Sequence, residues 1–211
     1  DKLRGTVHQM GKALMLWYLL KTWAGREEEL VTVIHKTIPS YQYKECFVIY
    51  QERIWRRQQR SIVHRERLFP GCVFLTCEDS GKEDFLPRCP EKNPDIGNRM
   101  AWGNIAILPM MPKDGEFLEK ISGTDHVVRL SYVQKEEGGE IALVSGPLKK
   151  CAGQMERIQL KKRYAVVRCR LWGEEQAIVL GIMLREDKGR MFFNAGAGTL
   201  DREREMSAAF E

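Results

Sequence analysis

No Cys-x-x-Cys pair occurs among the six cysteines, at 46, 72, 77, 89, 151 and 169, and the four histidines, at 8, 35, 64 and 126, are scattered. That spacing argues against zinc, and metal is not expected. The chain also lacks a Gly-x-x-x-x-Gly-Lys-Ser/Thr phosphate loop, a His-Glu-x-x-His helix and a Gly-x-Ser-x-Gly elbow. Nothing therefore points to nucleotide hydrolysis, metal-assisted proteolysis or acyl transfer. No catalytic residue can be named, and the expectation is a protein that is not an enzyme and takes no cofactor. Long apolar runs are missing too: Leu14 to Leu20 is apolar but far short of a membrane span. Its tryptophan and tyrosine suit a strand. A cytoplasmic, reduced protein with no membrane contact is expected, in which Cys72 and Cys169 serve as small hydrophobes.

What is present is a mild excess of positive charge, +5 over 211 residues, distributed unevenly. Between Ile141 and Arg185 stand nine bases (Lys149, Lys150, Arg157, Lys161, Lys162, Arg163, Arg168, Arg170 and Arg185) against three acids, Glu156, Glu174 and Glu175. A second basic cluster, Arg53, Arg56, Arg57, Arg60, Arg65 and Arg67, lies further upstream. Patches of this kind are the electrostatic footprint of phosphate contacts, although any single member is more often a solvated surface charge.

Asp1 to Ala13 shows no clear periodicity and reads as an extension. Leu16 to Thr22 reads as a first strand. Gly25 and Arg26 to Glu29 open a helix with acids at its positive end, Leu30, Val31, Ile34 and Ile38 carry its apolar face, and Pro39 stops it. Cys46 to Glu52 and Ser61 to Glu66 read as two strands joined by an Arg/Gln-rich tip. Pro70 and Gly71 then make a corner, and Cys72 to Thr76 is a buried strand. Repeated prolines and glycines make 78–112 uninformative, though Asp84 to Arg88 could begin a helix. Lys113 to Ile121 reads as a short helix. Ser131 to Glu140 reads as a linker. Beyond it Ala165, Val167, Cys169 and Leu171 alternate with Val166, Arg168 and Arg170, the period of a half-buried strand. Ala177 to Leu184 is another strand, and so many short strands suggest a small closed barrel. In the tail after Leu184, Met191, Phe192 and Phe193 could dock locally, Ala195 to Gly198 reads as a hinge and Arg202 to Glu205 could be helical.

Three pieces in order carry a resemblance: Trp17-Tyr18-Leu19-Leu20-Lys21-Thr22 with Gly25-Arg26-Glu27-Glu28-Glu29; Arg67-Leu68-Phe69-Pro70-Gly71-Cys72-Val73-Phe74-Leu75; and Val144-Ser145-Gly146-Pro147-Leu148-Lys149-Lys150 with Gly153. Together they resemble the NusG family of transcription elongation factors, the first two its NGN domain and the third its KOW motif. Asp125 to Leu130, Gly146 to Lys149, Leu171-Trp172-Gly173 and Val179-Leu180-Gly181 are similar to the LoaP branch of processive antiterminators.

The resemblance implies an α+β protein: an N-terminal α/β NGN domain, an antiparallel sheet flanked by helices, followed by a small SH3-like β-barrel KOW domain. The divisions expected are an extension at 1–15, the NGN-like unit at 16–130, a linker at 131–140, the barrel at 141–185 and a tail at 186–211. It further implies that Tyr18, Leu68, Phe69, Pro70 and Gly71 contact RNA polymerase, docking on the clamp helices of its β′ subunit as helices in an apolar groove. Lys149, Lys150, Lys161, Lys162, Arg163, Arg168 and Arg170 are expected to bind a nascent RNA hairpin, their loops converging on one rim. Trp172 or Tyr164 could stack on a base, with barrel core as the favoured role for Trp172. Non-template DNA is a further candidate partner. The alternatives are a housekeeping NusG whose KOW domain contacts Rho or the ribosome, and a ribosome-associated KOW protein. A monomer is expected.

Overall fold

A computed structural model describes residues 15–57, 60–78, 100–102 and 105–193. The extension at 1–14, the expected helix start at 84–88, and the hinge and helix in 195–205 lie outside the described residues.

The chain runs β1 (Met15–Lys21), α1 (Glu27–Thr37), β2 (Glu45–Phe47), β3 (Tyr50–Arg57), β4 (Arg60–Arg67), β5 (Cys72–Glu78), β6 (Met100–Trp102), β7 (Ile105–Pro109), α2 (Pro112–Ser122), β8 (Val127–Val128), β9 (Ser131–Lys135), β10 (Ile141–Ser145), α3 (Pro147–Lys150), β11 (Met155–Gln159), β12 (Tyr164–Leu171), β13 (Glu174–Met183) and β14 (Met191–Phe193). These strands make three sheets.

The first sheet, in the order β2-β5-β1-β7-β6, is antiparallel throughout. Its centre, β1, is apolar on both faces because both are covered, so it reads as a continuous apolar run rather than an alternation. Leu16, Tyr18 and Leu20 pack with Leu30, Ile34 and Ile38 at the helical spacing of α1. Trp17 and Leu19 turn the other way, toward Phe47, Phe74 and the Leu118 and Ile121 face of α2. Pro112 occupies the first turn of α2, where its missing amide costs nothing.

The second sheet has the order β10-β9-β13-β12-β11. Val133, Ala165, Val167, Cys169, Leu171, Ile178, Leu180 and Ile182 form its buried face and share one core with the first sheet. No ladder joins β10 to β11 among the described residues, so what is observed is a five-stranded sheet. Ser131–Lys135 is a correction to the expected linker: Tyr132 and Val133 are buried, and the acids and glycines that suggested a linker occupy only the turn between β9 and β10. Glu136 N–H donates to the Glu140 carbonyl at 2.9 Å to close that turn.

The third sheet, β14-β4-β3-β8, is built on the hairpin of β3 and β4. Ile54 and Val63 on its inner face pack with Leu130, Tyr132 and Met183. The expected strand from Cys46 to Glu52 is thus two strands that lie in different sheets. The tail also departs from expectation. Arg185–Arg190 is a 3-10 helix and Met191–Phe193 pairs in parallel with β4, so the fold continues to at least residue 193. No helix among the described residues is long and apolar enough to cross a membrane.

Candidate protein and nucleic-acid interface

The Phe69-Pro70-Gly71 corner is a tight turn in which Cys72 N–H donates to the Phe69 carbonyl at 3.2 Å. Pro70 presets the second position, and Gly71 takes φ +77, which a type II turn demands at its third. A Cβ on Gly71 would also stand 2.8 Å from the Thr22 carbonyl oxygen, because Thr22 N–H donates to the Gly71 carbonyl at 2.9 Å. The turn is anchored by a residue that sequence reading valued only for its charge. Glu27, fully buried at the start of α1, accepts from Gly71 N–H and Gly25 N–H, each at 2.7 Å. Arg67 Nε lies 3.1 Å from the same carboxylate, an ionic contact that satisfies the buried charge without hydrogen-bond alignment. An acid two residues after Gly25, in the first turn of a helix, was the available signal.

Of the residues expected to meet polymerase, Pro70 is exposed, Phe69 is half-buried, and Leu68 and Gly71 are buried. Tyr18 is 1% exposed between β1 and α1, so it supports the sheet and offers no surface. The Phe69 ring stands edge-on to Phe74 at 6.1 Å and to Trp172 at 5.2 Å. Trp172 is neither core nor an open stacking platform. It sits at φ +41 on the turn between β12 and β13, with Lys21 Nζ 5.4 Å from its ring centroid. Its backbone N–H donates to Asp114 Oδ2 at 2.7 Å. Burial pushes the Asp114 carboxyl above the usual aspartate range, against the pull of that hydrogen bond. The second sheet is therefore docked on the corner, leaving a cleft of about 740 Å³ lined by Lys21, Gln51, Arg53, Arg67, Phe69 and Trp172.

The basic candidates divide. Arg168 and Arg170 are exposed on the face of β12 opposite Val167 and Cys169, as strand parity requires. Val166 is buried despite sharing their parity. Burial pushes the Cys169 thiol up to about 11, which leaves it a hydrophobe. Arg168 is paired with Glu156 at 2.8 Å and Glu175 at 3.7 Å. Lys161 and Lys162 are exposed, but they precede Tyr164 at one end of β12 while Arg170 stands at the other. Eight residues of strand span roughly 25 Å, so these groups do not share a rim. Lys149 and Lys150 are exposed on α3, where their ammonium groups reach the carbonyls of Val144 and Lys120.

Arg163 corrects the expected set. It is 2% exposed, takes φ +57, and is held by Asp187 at 2.6 Å and by Glu186. Asp187 also accepts from Ser61 Oγ at 3.3 Å and Leu184 N–H at 2.8 Å. Arg163 is a structural ion, because the segment after β13 returns two carboxylates to it.

No protein-family model matches the chain. The chain is 22% identical over 171 residues to the transcription termination/antitermination protein NusG of Halalkalibacterium halodurans, covering 78% of the chain and 93% of that relative. To the protein of the same name from Thermus thermophilus it is 24% identical over 174 residues, covering 78% of the chain and 94% of the relative. Low in identity but nearly complete in extent, these similarities align the chain with NusG transcription factors.

Proposed function

We propose that the chain is a cytoplasmic NusG-type transcription elongation and antitermination factor, of the LoaP kind. The observation that carries this reading is that the similarity extends through almost the whole length of two NusG proteins. The antiparallel sheet flanked by α1 and α2 is the polymerase-binding unit, and the Phe69-Pro70 corner is its contact, fixed from beneath by Glu27 and Leu68. Docking on the β′ clamp exchanges the Trp172 edge for partner side chains. The factor acts by binding the closed polymerase more tightly than the open one, with no covalent step. The second sheet takes a nascent RNA hairpin on Arg168 and Arg170, whose phosphate contacts set affinity rather than sequence choice.

The pairing of Arg168 with two glutamates favours a second reading, a housekeeping factor whose second sheet meets Rho or a ribosomal protein. A pull-down with core RNA polymerase tests the shared part: both readings require retention, and a folded protein that is not retained overturns both. Binding of an RNA hairpin by the purified chain separates the two.

A further inference from the structure

The cleft between the Phe69-Pro70 corner and β13 holds polar groups that the proposed polymerase and RNA contacts leave unused. Its charged residues are three bases, Lys21, Arg53 and Arg67, and three acids, Glu27, Glu66 and Glu174. Arg53 meets Glu66 at 3.1 Å, and Arg67 meets Glu27 at the same distance. Among the described residues Lys21 and Glu174 have no such partner. The Lys21 ammonium faces the Cys72 thiol at 3.2 Å and the Trp172 ring, while Glu174 is exposed at the start of β13. Gln51 adds a third unused group. It is 5% exposed, and its Nε2 donates to Glu66 Oε1 at 3.0 Å. That bond fixes which way the amide points, because only its nitrogen can donate to a carboxylate. The amide oxygen is thereby left buried without a partner.

A buried carbonyl without a donor costs free energy, so an occupant that brings an N–H gains at Gln51. Lys21 asks for an anionic group, and Glu174 and the Gln51 oxygen ask for a positive or N–H-bearing one. The complement of that set is a zwitterion. Its body is apolar and flat: the Phe69 and Trp172 rings stand edge-on at 5.2 Å, Pro70 and Val179 also line the cleft, and aromatic rings pack on such edges. A volume of about 740 Å³ falls within the range of small-molecule sites. A polyphosphate or a nucleic-acid strand does not fit this set. Two of the three bases are already neutralised by acids of the same cleft, and Glu174 repels phosphate.

We propose that this cleft binds an aromatic amino acid, free or at the C-terminus of a short peptide. Lys21 takes its carboxylate, Gln51 Oε1 accepts from its amino or amide nitrogen, Glu174 balances the positive charge, and the ring lies against Phe69 and Trp172. Lys21 stands on the first sheet, Gln51 on the third and Glu174 on the second. The occupant therefore ties the second sheet to the corner.

The test uses the full chain, with saturation-transfer NMR and calorimetry on L-phenylalanine, its methyl ester, hydrocinnamate and glycyl-L-phenylalanine. The methyl ester lacks the carboxylate and hydrocinnamate lacks the amine, so each should bind the wild type about tenfold more weakly than L-phenylalanine. In Lys21→Gln the amino acid and its ester should bind alike. In Gln51→Leu the amino acid should bind no better than hydrocinnamate. Because Gln51 is buried, Glu174→Gln at an exposed site is the companion variant, and it should weaken the amino acid while sparing hydrocinnamate. Lys36→Gln makes the same charge change on α1, outside the cleft, and should bind as the wild type does. Tighter binding of L-phenylalanine than of the dipeptide assigns the site to a free amino acid, and the reverse order to a chain end. Failure of both to bind the wild type at millimolar concentration overturns the proposal and leaves the Gln51 carbonyl to water. Equal binding by Lys21→Gln, Glu174→Gln and the wild type overturns it as well.

Discussion

Arg163 and Arg168 stand five residues apart in one basic stretch and read alike, yet the fold uses them in opposite ways. Arg163, on a left-handed turn, is enclosed by Asp187 and Glu186, which arrive from beyond β13. Arg168, on the open face of β12, is paired with Glu156 and Glu175, both well exposed. A guanidinium is thus a structural ion or a recruitable one according to whether its counter-charges are buried with it. For Arg163 the removal of a partner strands a charge in a dry site; for Arg168 water takes the place of the missing carboxylate.

The largest effect follows from that difference. Asp187→Ala leaves Arg163 without its buried carboxylate and should destabilise the fold by about 3–5 kcal/mol in urea denaturation. Cutting the chain after Leu184 removes both carboxylates and should do at least as much. A loss below about 1 kcal/mol, the scale of exposed pairs, would erase the distinction between the two arginines.

Next in size is the exposed pair. Arg168→Glu with Arg170→Glu should leave the urea midpoint nearly unchanged, since both side chains face solvent. On the proposed function it should abolish most RNA-hairpin affinity and lower the log-log salt slope by about 0.7 for each phosphate left without its arginine, while polymerase retention persists. Unchanged affinity and slope would transfer this face to a protein partner.

A smaller effect is expected where the sheets meet. Trp172→Ala removes the edge that covers Phe69, an aromatic contact of about 0.5–1.5 kcal/mol. If polymerase must displace that edge, the variant should bind polymerase a few-fold more tightly. Weaker binding would instead make Trp172 part of the docking surface. Phe69→Asp is the less clean probe, because the Phe69 ring also packs on the fully buried Phe74, so a charge there should disturb the fold as well as the contact.

Local pattern carried much of this in advance. The corner, α1, α2 and the parity of β12 were legible because each depends on neighbours in sequence: a proline and a glycine in a turn, apolar positions three and four apart, or side chains two apart. What was not legible depends on distant chain. Ser131–Lys135 looked like a linker because its following acids and glycines dominate composition, while the partner that buries it, β13, lies far downstream. Arg163 counted as a free base because its carboxylates come from a segment assigned to the tail. Trp172 divided the readings because its neighbours, Phe69 and Asp114, belong to the other half of the molecule. Trp55, exposed on β3, was passed over because it fell within the stretch read as an Arg/Gln-rich tip between strands.

Asp114 gives the finest test of the junction. Its carboxyl, buried against the β12–β13 turn, accepts from the Trp172 N–H, and burial raises its pKa above the ordinary aspartate value. A raised pKa means that the folded state holds the proton more strongly than the unfolded state. The group's contribution to stability is then fullest below the usual aspartate pKa and is lost as pH rises through the raised value. Asp114→Asn stays neutral at every pH and keeps an oxygen to accept from Trp172. The wild type should therefore match the variant at the acid end and fall behind it as pH increases, a smaller change than any above. The comparison must be a difference between the two proteins, because His126 runs the other way. Burial lowers the His126 pKa despite the nearby Glu45 and Asp125, so its contribution is lost as pH falls through that lowered value in both proteins alike. Urea midpoints of the two proteins across about pH 4 to 7 decide it. Curves that stay parallel would mean that the Asp114 carboxylate is fully compensated by its hydrogen bond, and that the docked sheet carries no electrostatic cost at this contact.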